Sequence, residues 1–250
     1  MKVKFVCEYN GKNFHGFQRQ SNLRNVQGVL EDALGKFFKQ IIVVNGSGRT
    51  DVGVHAREQV CSFEVEDHNM LCSVSCEQQY IDGKAYHKVC MAVNAFLFEA
   101  GCEDVVVRDF EGVNDGFHAR FNTKSKTYLY RVYVSKSPSP LREDFYHRVV
   151  KMPDVDGMRK RVKELFMGTR DFTLYSAGAK VSAVPVMASG KGNIRTISRF
   201  DIEQRDDEIW FWITGDGFLY KQVRLMIGQL LLGKRETVPA KGLTLWNVLY

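Results

Sequence analysis

Asp51 is the residue whose surroundings are best suited to chemistry. It lies in the run Gly48-Arg49-Thr50-Asp51-Val52-Gly53-Val54-His55-Ala56, where a carboxylate follows a cation by two residues and stands between glycines. Glycine allows a loop to approach a ligand closely, and an ionised carboxylate on such a loop can act as a nucleophile or a general base. The motif contains no second acid, which disfavours ordinary glycosidase chemistry because that reaction needs a carboxylate pair. The alternative is a structural aspartate that caps a helix or closes a turn.

Other reactive side chains give weaker patterns. The six cysteines include no CxxC pair, and only Cys72, Cys76, His87 and Cys90 have even loose zinc-ligand spacing. We interpret the cysteines as reduced, mostly buried thiols. Neither the GxGxxG nor the Walker A pattern occurs, and the sequence therefore predicts no metal and no cofactor.

Composition indicates an intracellular globular protein. Of its 250 residues 44% are hydrophobic and 26% charged, and no apolar run approaches the roughly 18–20 residues of a membrane span. The first residues enter an alternating strand pattern directly, without the apolar core of a signal peptide. A net charge of +6 fits a polyanionic partner such as nucleic acid. The choice between cytoplasm and nucleus stays open.

The elements that must position Asp51 are predicted from hydrophobic periodicity. Helical spacing predicts helices over 26–38, with Asn25 as the cap, and over 88–97, 155–166 and 220–232. Alternating or β-branched runs predict strands over 4–9, 41–44, 59–65 and 127–134, and a hairpin of 197–204 with 209–214. Asp51 would follow the strand 41–44.

This order predicts an α+β fold. We expect two similar halves, each an antiparallel sheet with helices packed on one face, and an active-site cleft between them. Residues 1–110 would form the half that carries the Asp51 loop, and residues 111–250 the other half. The run 135–140, rich in serine and proline, is predicted to be a connection, and 176–193 to be a mobile loop.

Several motifs along the chain resemble the TruA family of tRNA pseudouridine synthases. The Asp51 run is similar to the family signature, and further matches occur in the same order from about Phe5 to Tyr250. They are Glu8-Tyr9-Asn10-Gly11 with Gly16-Phe17-Gln18-Arg19-Gln20, Phe117-His118-Ala119-Arg120-Phe121 with Lys126-Thr127-Tyr128-Leu129-Tyr130-Arg131, Gly217 to Arg224, and Pro239 to Trp246. An ordered set of motifs is far more specific than any one of them.

The resemblance implies a function and a set of site residues. It implies conversion of uridine to pseudouridine in the anticodon arm of tRNA, among positions 38 to 40, without a cofactor. Asp51, Tyr128 and Arg224 would be the catalytic residues. Arg224 would pair with Asp51, and Tyr128 would stack its ring on the extruded uracil and assist the later proton transfer with its hydroxyl. Five residues would bind the substrate: Arg49, Arg57, Lys126, Tyr130 and Leu243. For Tyr130 core packing is the favoured alternative.

Further RNA contacts are expected from basic residues beside the matched motifs. These residues are Arg19, Arg24, Lys124, Arg131 and Lys221. A solvated surface charge is the alternative for each basic residue. His55 and His118 match framework positions of the motifs, so we assign them no chemistry.

The chain departs from the family pattern in a short 233–239 segment and a long, cysteine-rich 68–87 segment. These differences leave open whether the protein forms a homodimer and which uridine of the tRNA it modifies. A tRNA-binding or chaperone module without turnover is the alternative function, and a nucleoside or glycoside hydrolase is a third.

Overall fold

The computed structural model describes residues 1–66, 83–177 and 192–250 and has an α+β fold. The chain forms two compact units, residues 1–123 with Tyr250 and residues 124–249. Among the described residues, each unit contains β-strands and two α-helices. The α+β class predicted from sequence is confirmed, while the similarity of two halves, their division at residue 110 and a cleft between them stay predictions.

The first unit is built on three long antiparallel strands. Its elements are β1 (Lys2–Tyr9), α1 (Val26–Phe38), β2 (Asn45–Gly46), β3 (His55–Glu64), α2 (Gly83–Glu99) and β4 (Val105–Val113), with a 3-10 turn at Gly11–Asn13. Within the unit β1 lies between β4 and β3, and β2 pairs with β3. The Asp51 motif lies in the loop that leads into β3. The end of β1 is beside that loop, because Tyr9 pairs with Ala56.

Aromatic contacts hold α1 on this sheet. Phe5 of β1 stacks on Phe110 of β4 at 5.0 Å between ring centroids, and Phe38 of α1 lies 5.4 Å from Phe63 of β3. The helix begins where the sequence predicts, because the Asn25 side chain accepts a hydrogen bond from the Gly28 N–H.

The second unit consists, in its described residues, of mostly antiparallel strands and two α-helices. Its elements are β5 (Ser125–Val134), β6 (His147–Val149), α3 (Val155–Leu165), β7 (Gly168–Asp171), β8 (Ile194–Arg205), β9 (Glu208–Gly215), α4 (Gln222–Leu232) and β10 (Leu243–Leu249), with 3-10 turns at Thr173–Tyr175 and Ala240–Gly242. The strand order is β10-β5-β9-β8-β7, and β6 pairs parallel to β5. The predicted hairpin is confirmed as β8 and β9, which turn at Asp206 and Asp207.

The predicted strand 41–44 is wrong. These residues are not part of a strand, and the strand that follows the helix is only Asn45–Gly46. Side chains of α1 satisfy the backbone of Val44 instead, since its N–H donates to Glu31 at 3.1 Å and its carbonyl accepts from Gln27 at 3.0 Å. Ile41 is 94% exposed and Val43 61% exposed, so the β-branched run is not buried throughout.

Other boundaries also differ from the prediction. The last helix begins at Gln222 instead of Tyr220, because Lys221 has a φ of 59° and cannot continue a right-handed helix. Sequence periodicity also missed β4 and β10, in which buried and exposed residues do not alternate regularly.

Some predictions fall outside the described residues. Cys72 and Cys76 of the weak zinc pattern, and most of the predicted mobile loop 176–193, lie there. Among the described residues no cluster of histidine, cysteine or acidic side chains could hold a metal ion. In the same residues no helix is both long and apolar enough to cross a bilayer.

The start of α3 gives a direct test of local stability. The Asp154 side chain accepts a hydrogen bond of 2.9 Å from the Gly157 N–H at the exposed end of the helix. We expect Asp154→Ala to lower the free energy of unfolding by about 1 kcal/mol, because this N–H loses its acceptor. Asp154→Asn keeps an acceptor and serves as the matched control. Urea unfolding measures both, and equal midpoints for the alanine and wild-type proteins would contradict a capping role.

Candidate active site

The Asp51 loop connects β2 to β3 in the first unit. The Val54 N–H donates to the Asp51 carbonyl at 3.1 Å, and Gly53 has a φ of 76°, a conformation that favours glycine. Asp51 is half-buried and Arg49 is exposed. The loop therefore closes on itself immediately after the carboxylate.

Thr50 fixes the backbone immediately before Asp51. Its buried hydroxyl is hydrogen-bonded to the hydroxyl of Tyr9 at 2.8 Å, and its carbonyl accepts from the Phe17 N–H at 3.1 Å. Gly16 allows this approach, since a Cβ there would lie 2.9 Å from the same carbonyl, and its φ is +87°. The opening motif is thus packed directly against the Asp51 motif.

His55 fixes the other side of the loop. Its Nδ1 accepts a hydrogen bond of 3.0 Å from the Gly11 N–H, so that nitrogen carries no proton in this arrangement. A Cβ on Gly11 would lie 2.0 Å from the Val54 carbonyl. A buried imidazole held in this way fits the framework role that the motif match implies.

Gln59 holds the beginning of the loop from within β3. Its Nε2 donates to the Gly48 carbonyl at 2.6 Å, and its Oε1 accepts from the Ser47 hydroxyl at 2.5 Å. The side chain is completely buried. A buried amide with both ends satisfied gives the backbone at Gly48 one preferred position.

Tyr128, Tyr130 and Leu243 lie on adjacent strands of the second unit. Tyr128 of β5 is opposite Leu245 of β10, and Tyr130 is opposite Leu243. The Tyr128 ring makes an edge contact with Phe218 at 5.1 Å. The structure therefore places Leu243 directly opposite Tyr130, although more than 100 sequence positions separate the two residues.

Tyr130 is fully buried and its hydroxyl donates to the Pro239 carbonyl at 3.0 Å. Burial raises the pKa of this hydroxyl well above its ordinary value, while the positive charge of Arg224 acts in the opposite direction. The burial fits the packing role that the sequence favours for Tyr130.

Arg224 lies in the first turn of α4 and is half-buried. Its Nε donates to the Val238 carbonyl at 2.8 Å, which orients the planar guanidinium. The pairing of Arg224 with Asp51 of the first unit stays a prediction.

Several of the basic side chains predicted to contact RNA are engaged within the protein. Arg24 forms a bidentate pair with Asp104 at 2.7 and 2.8 Å, Arg19 donates to Glu31 at 2.6 Å, and Arg131 donates to Thr244 at 3.2 Å. Arg57 is exposed and lies 3.7 Å from Glu58. Lys126 lies at the beginning of β5.

Sequence reasoning assigned no role to Tyr9, Thr50 or Gln59, which hold the Asp51 loop. The signal that could have found them was the pair Gly11 and Gly16 in the opening motif, because glycines at such positions indicate a close backbone approach. The identity of the segment that approaches could not be read from the sequence.

Comparison with known proteins gives full-length relatives. A family model described as tRNA pseudouridine synthase matches residues 6–99 and 163–248. The chain is 35% identical to tRNA pseudouridine synthase A of Bacillus subtilis over 273 residues, covering 100% of this chain and 99% of the relative. It is 32% identical to the enzyme of the same name from Acetivibrio thermocellus over 270 residues, covering 99% of each.

A solved Cbf5-Nop10-Gar1 complex is similar over 95% of this chain and 56% of that chain, with 10% identity and a TM-score of 0.38. That likeness is too distant to support any argument. The curated relatives cover the Asp51 loop, β5, α4 and β10 together. The chain belongs to the TruA family of tRNA pseudouridine synthases, as its motifs predict.

Proposed function

We propose that this chain isomerises uridine to pseudouridine in the anticodon arm of tRNA, among positions 38 to 40. The observation that carries the proposal is the full-length match to proteins named tRNA pseudouridine synthase A. The reaction breaks the N1–C1′ bond, turns the detached uracil and forms a C5–C1′ bond. N1 gains a proton and C5 loses one, so the reaction balances without an oxidant or a cofactor.

Asp51 is the proposed catalytic carboxylate. It can attack the nucleotide covalently or remove a proton to give a glycal, and both routes need the ionised form. Arg224 is proposed to stabilise that charge across an active-site cleft between two similar halves. The contacts of Thr50, His55 and Gln59 support the proposal, because a reacting group must be held in a productive geometry.

Tyr128 is proposed to stack on the extruded uracil, and Leu243 to pack against it. A flipped base is commonly held between aromatic and apolar side chains. Arg49 is exposed in the Asp51 loop and is proposed to help displace the base. Arg57 and Lys126 are proposed to bind the backbone of the RNA, and a monomer and a homodimer both stay open as the working form.

The charge distribution supports an RNA substrate. Residues 124–250 contain 22 lysines and arginines against 13 acids, a formal charge of +9, whereas residues 1–123 carry −3. Helix α3 contributes the exposed Lys160 and Lys163, neither of which forms an ion pair with another described residue. These lysines are three positions apart and share one side of the helix. Phosphate binding is the role that such a surface fits.

Replacing Asp51 tests the chemistry. We expect Asp51→Asn to reduce pseudouridine formation in a tRNA transcript at least about 100-fold, since the amide can neither attack nor accept a proton. Asp115→Asn is the matched control, because it removes an exposed carboxylate from the same unit. Chromatography of the digested tRNA measures the product.

Each outcome of this assay has a different meaning. Equal product from Asp51→Asn and wild type would remove the catalytic role. Tight tRNA binding by the wild-type protein without product would favour the binding-module alternative. Release of free uracil would indicate a hydrolase.

Replacing the lysines of α3 tests the binding surface. We expect Lys160→Gln/Lys163→Gln to weaken tRNA binding and to leave the single-turnover rate at saturation unchanged. The slope of log Kd against log salt should fall by about one for each phosphate that the variant no longer neutralises. Lys36→Gln/Lys39→Gln is the control, because it removes two exposed lysines, also three apart, from the acidic first unit. Filter binding at several salt concentrations measures the slopes, and identical slopes for both double variants would contradict a specific role for α3.

A further inference from the structure

The connecting segment, residues 233–242 between α4 and β10, is held by α4 on one side. A Cβ on Gly228 of the helix would lie 1.8 Å from the Glu236 carbonyl, so glycine is needed for the helix and the segment to pack this closely. Further along the segment, the Val238 carbonyl accepts a hydrogen bond of 2.8 Å from the Arg224 Nε. The orientation of the guanidinium therefore depends on where the Val238 carbonyl lies.

Tyr130 holds the same segment from the sheet. Its hydroxyl donates to the carbonyl of Pro239, the residue after Val238, at 3.0 Å. Its ring lies under Gly242, where a Cβ would be 2.7 Å from the ring carbon Cζ. The buried Tyr130 side chain thus fixes the segment at two residues. They are Pro239, which follows Val238, and Gly242, which precedes Leu243.

We propose that Tyr130 is a positioning residue for the isomerisation, acting through the connecting segment on the guanidinium of Arg224. This inference rests on the proposed function. Because the ring is fully buried beneath the segment, the role of Tyr130 is to set the Pro239 and Val238 carbonyls and not to contact uracil. This proposal gives the short 233–239 segment a function. The Pro239 carbonyl, which Tyr130 holds, directly follows the Val238 carbonyl, which binds Arg224, so displacement of one displaces the other.

The first test removes only the hydroxyl. We expect Tyr130→Phe to lower the single-turnover rate of pseudouridine formation about tenfold, because a small displacement of a group that acts on the transition state reduces the rate strongly. The Kd for tRNA should change less than about twofold, since phosphate contacts dominate that affinity. Tyr146→Phe is the matched control. It removes the hydrogen bond of 3.1 Å that the Tyr146 hydroxyl donates to Glu208 in the same unit, and it should leave the rate unchanged.

A double-mutant cycle identifies the route. Arg224→Lys keeps the charge but loses the planar group that Val238 orients. If Tyr130 acts through Arg224, adding Tyr130→Phe to Arg224→Lys should lower the rate no further. Additive effects, or a full rate for Tyr130→Phe alone, would overturn the proposal.

Pro239→Ala provides a second variant that leaves the Tyr130 side chain intact. It loosens the backbone of the segment, and we expect the same selective loss of rate and the same non-additivity with Arg224→Lys. Thermal unfolding of each variant confirms that the rates refer to folded protein. A wild-type protein that makes no pseudouridine would refute the proposed function, whereas an active wild type with an equally fast Tyr130→Phe would refute the positioning role alone.

Discussion

The hydrogen bond between Tyr9 and Thr50 fixes the residue before the proposed catalytic carboxylate, and the chemistry depends on that loop having one conformation. The Asp51 motif contains only one carboxylate, so the position of that side chain is decisive for the proposed reaction. The first unit meets this constraint with backbone contacts on both sides of Asp51, to the Thr50 carbonyl from Phe17 and to the His55 ring from Gly11. Two glycines, at 11 and 16, make the approach possible because any side chain there would collide with the loop.

The second unit solves a similar problem by a different means. A cation in the first turn of a helix is disfavoured by the helix dipole, and Arg224 occupies that position in α4. The Val238 carbonyl accepts from its Nε and offsets part of that cost. In the first unit the contacts hold the loop that carries Asp51. In the second unit they hold a neighbouring segment, which orients the Arg224 side chain.

Recognition of RNA and chemistry on one base make different demands on the chain. Binding to a stem depends on many weak phosphate contacts, which tolerate individual changes. Positioning of a reacting group depends on a few buried contacts, which do not. In the proposed function, the excess positive charge of residues 124–250 serves the first demand, and the buried side chains Tyr9, Gln59 and Tyr130 serve the second.

Strong local signals made parts of the fold predictable. Helix α1 was predictable to the residue because its apolar spacing and the Asn25 cap are both local, and the β8–β9 hairpin was predictable because polar residues interrupt two alternating runs. The strand over 41–44 was mispredicted at its end because the side chains of Glu31 and Gln27 in α1 take the backbone N–H and carbonyl of Val44 that a strand would pair.

The sequence by itself determined the chemical types of the proposed site residues: a lone carboxylate between glycines, two tyrosines that share one side of a strand, and an arginine at the start of an apolar helix. Only the tertiary structure decided which residues hold them, because the contacts join segments far apart in sequence, Tyr9 with Thr50 and Tyr130 with Pro239. No local pattern encodes which carbonyl a buried hydroxyl will reach. That choice follows from strand register and from the close approaches that glycine permits, and both are properties of the folded chain.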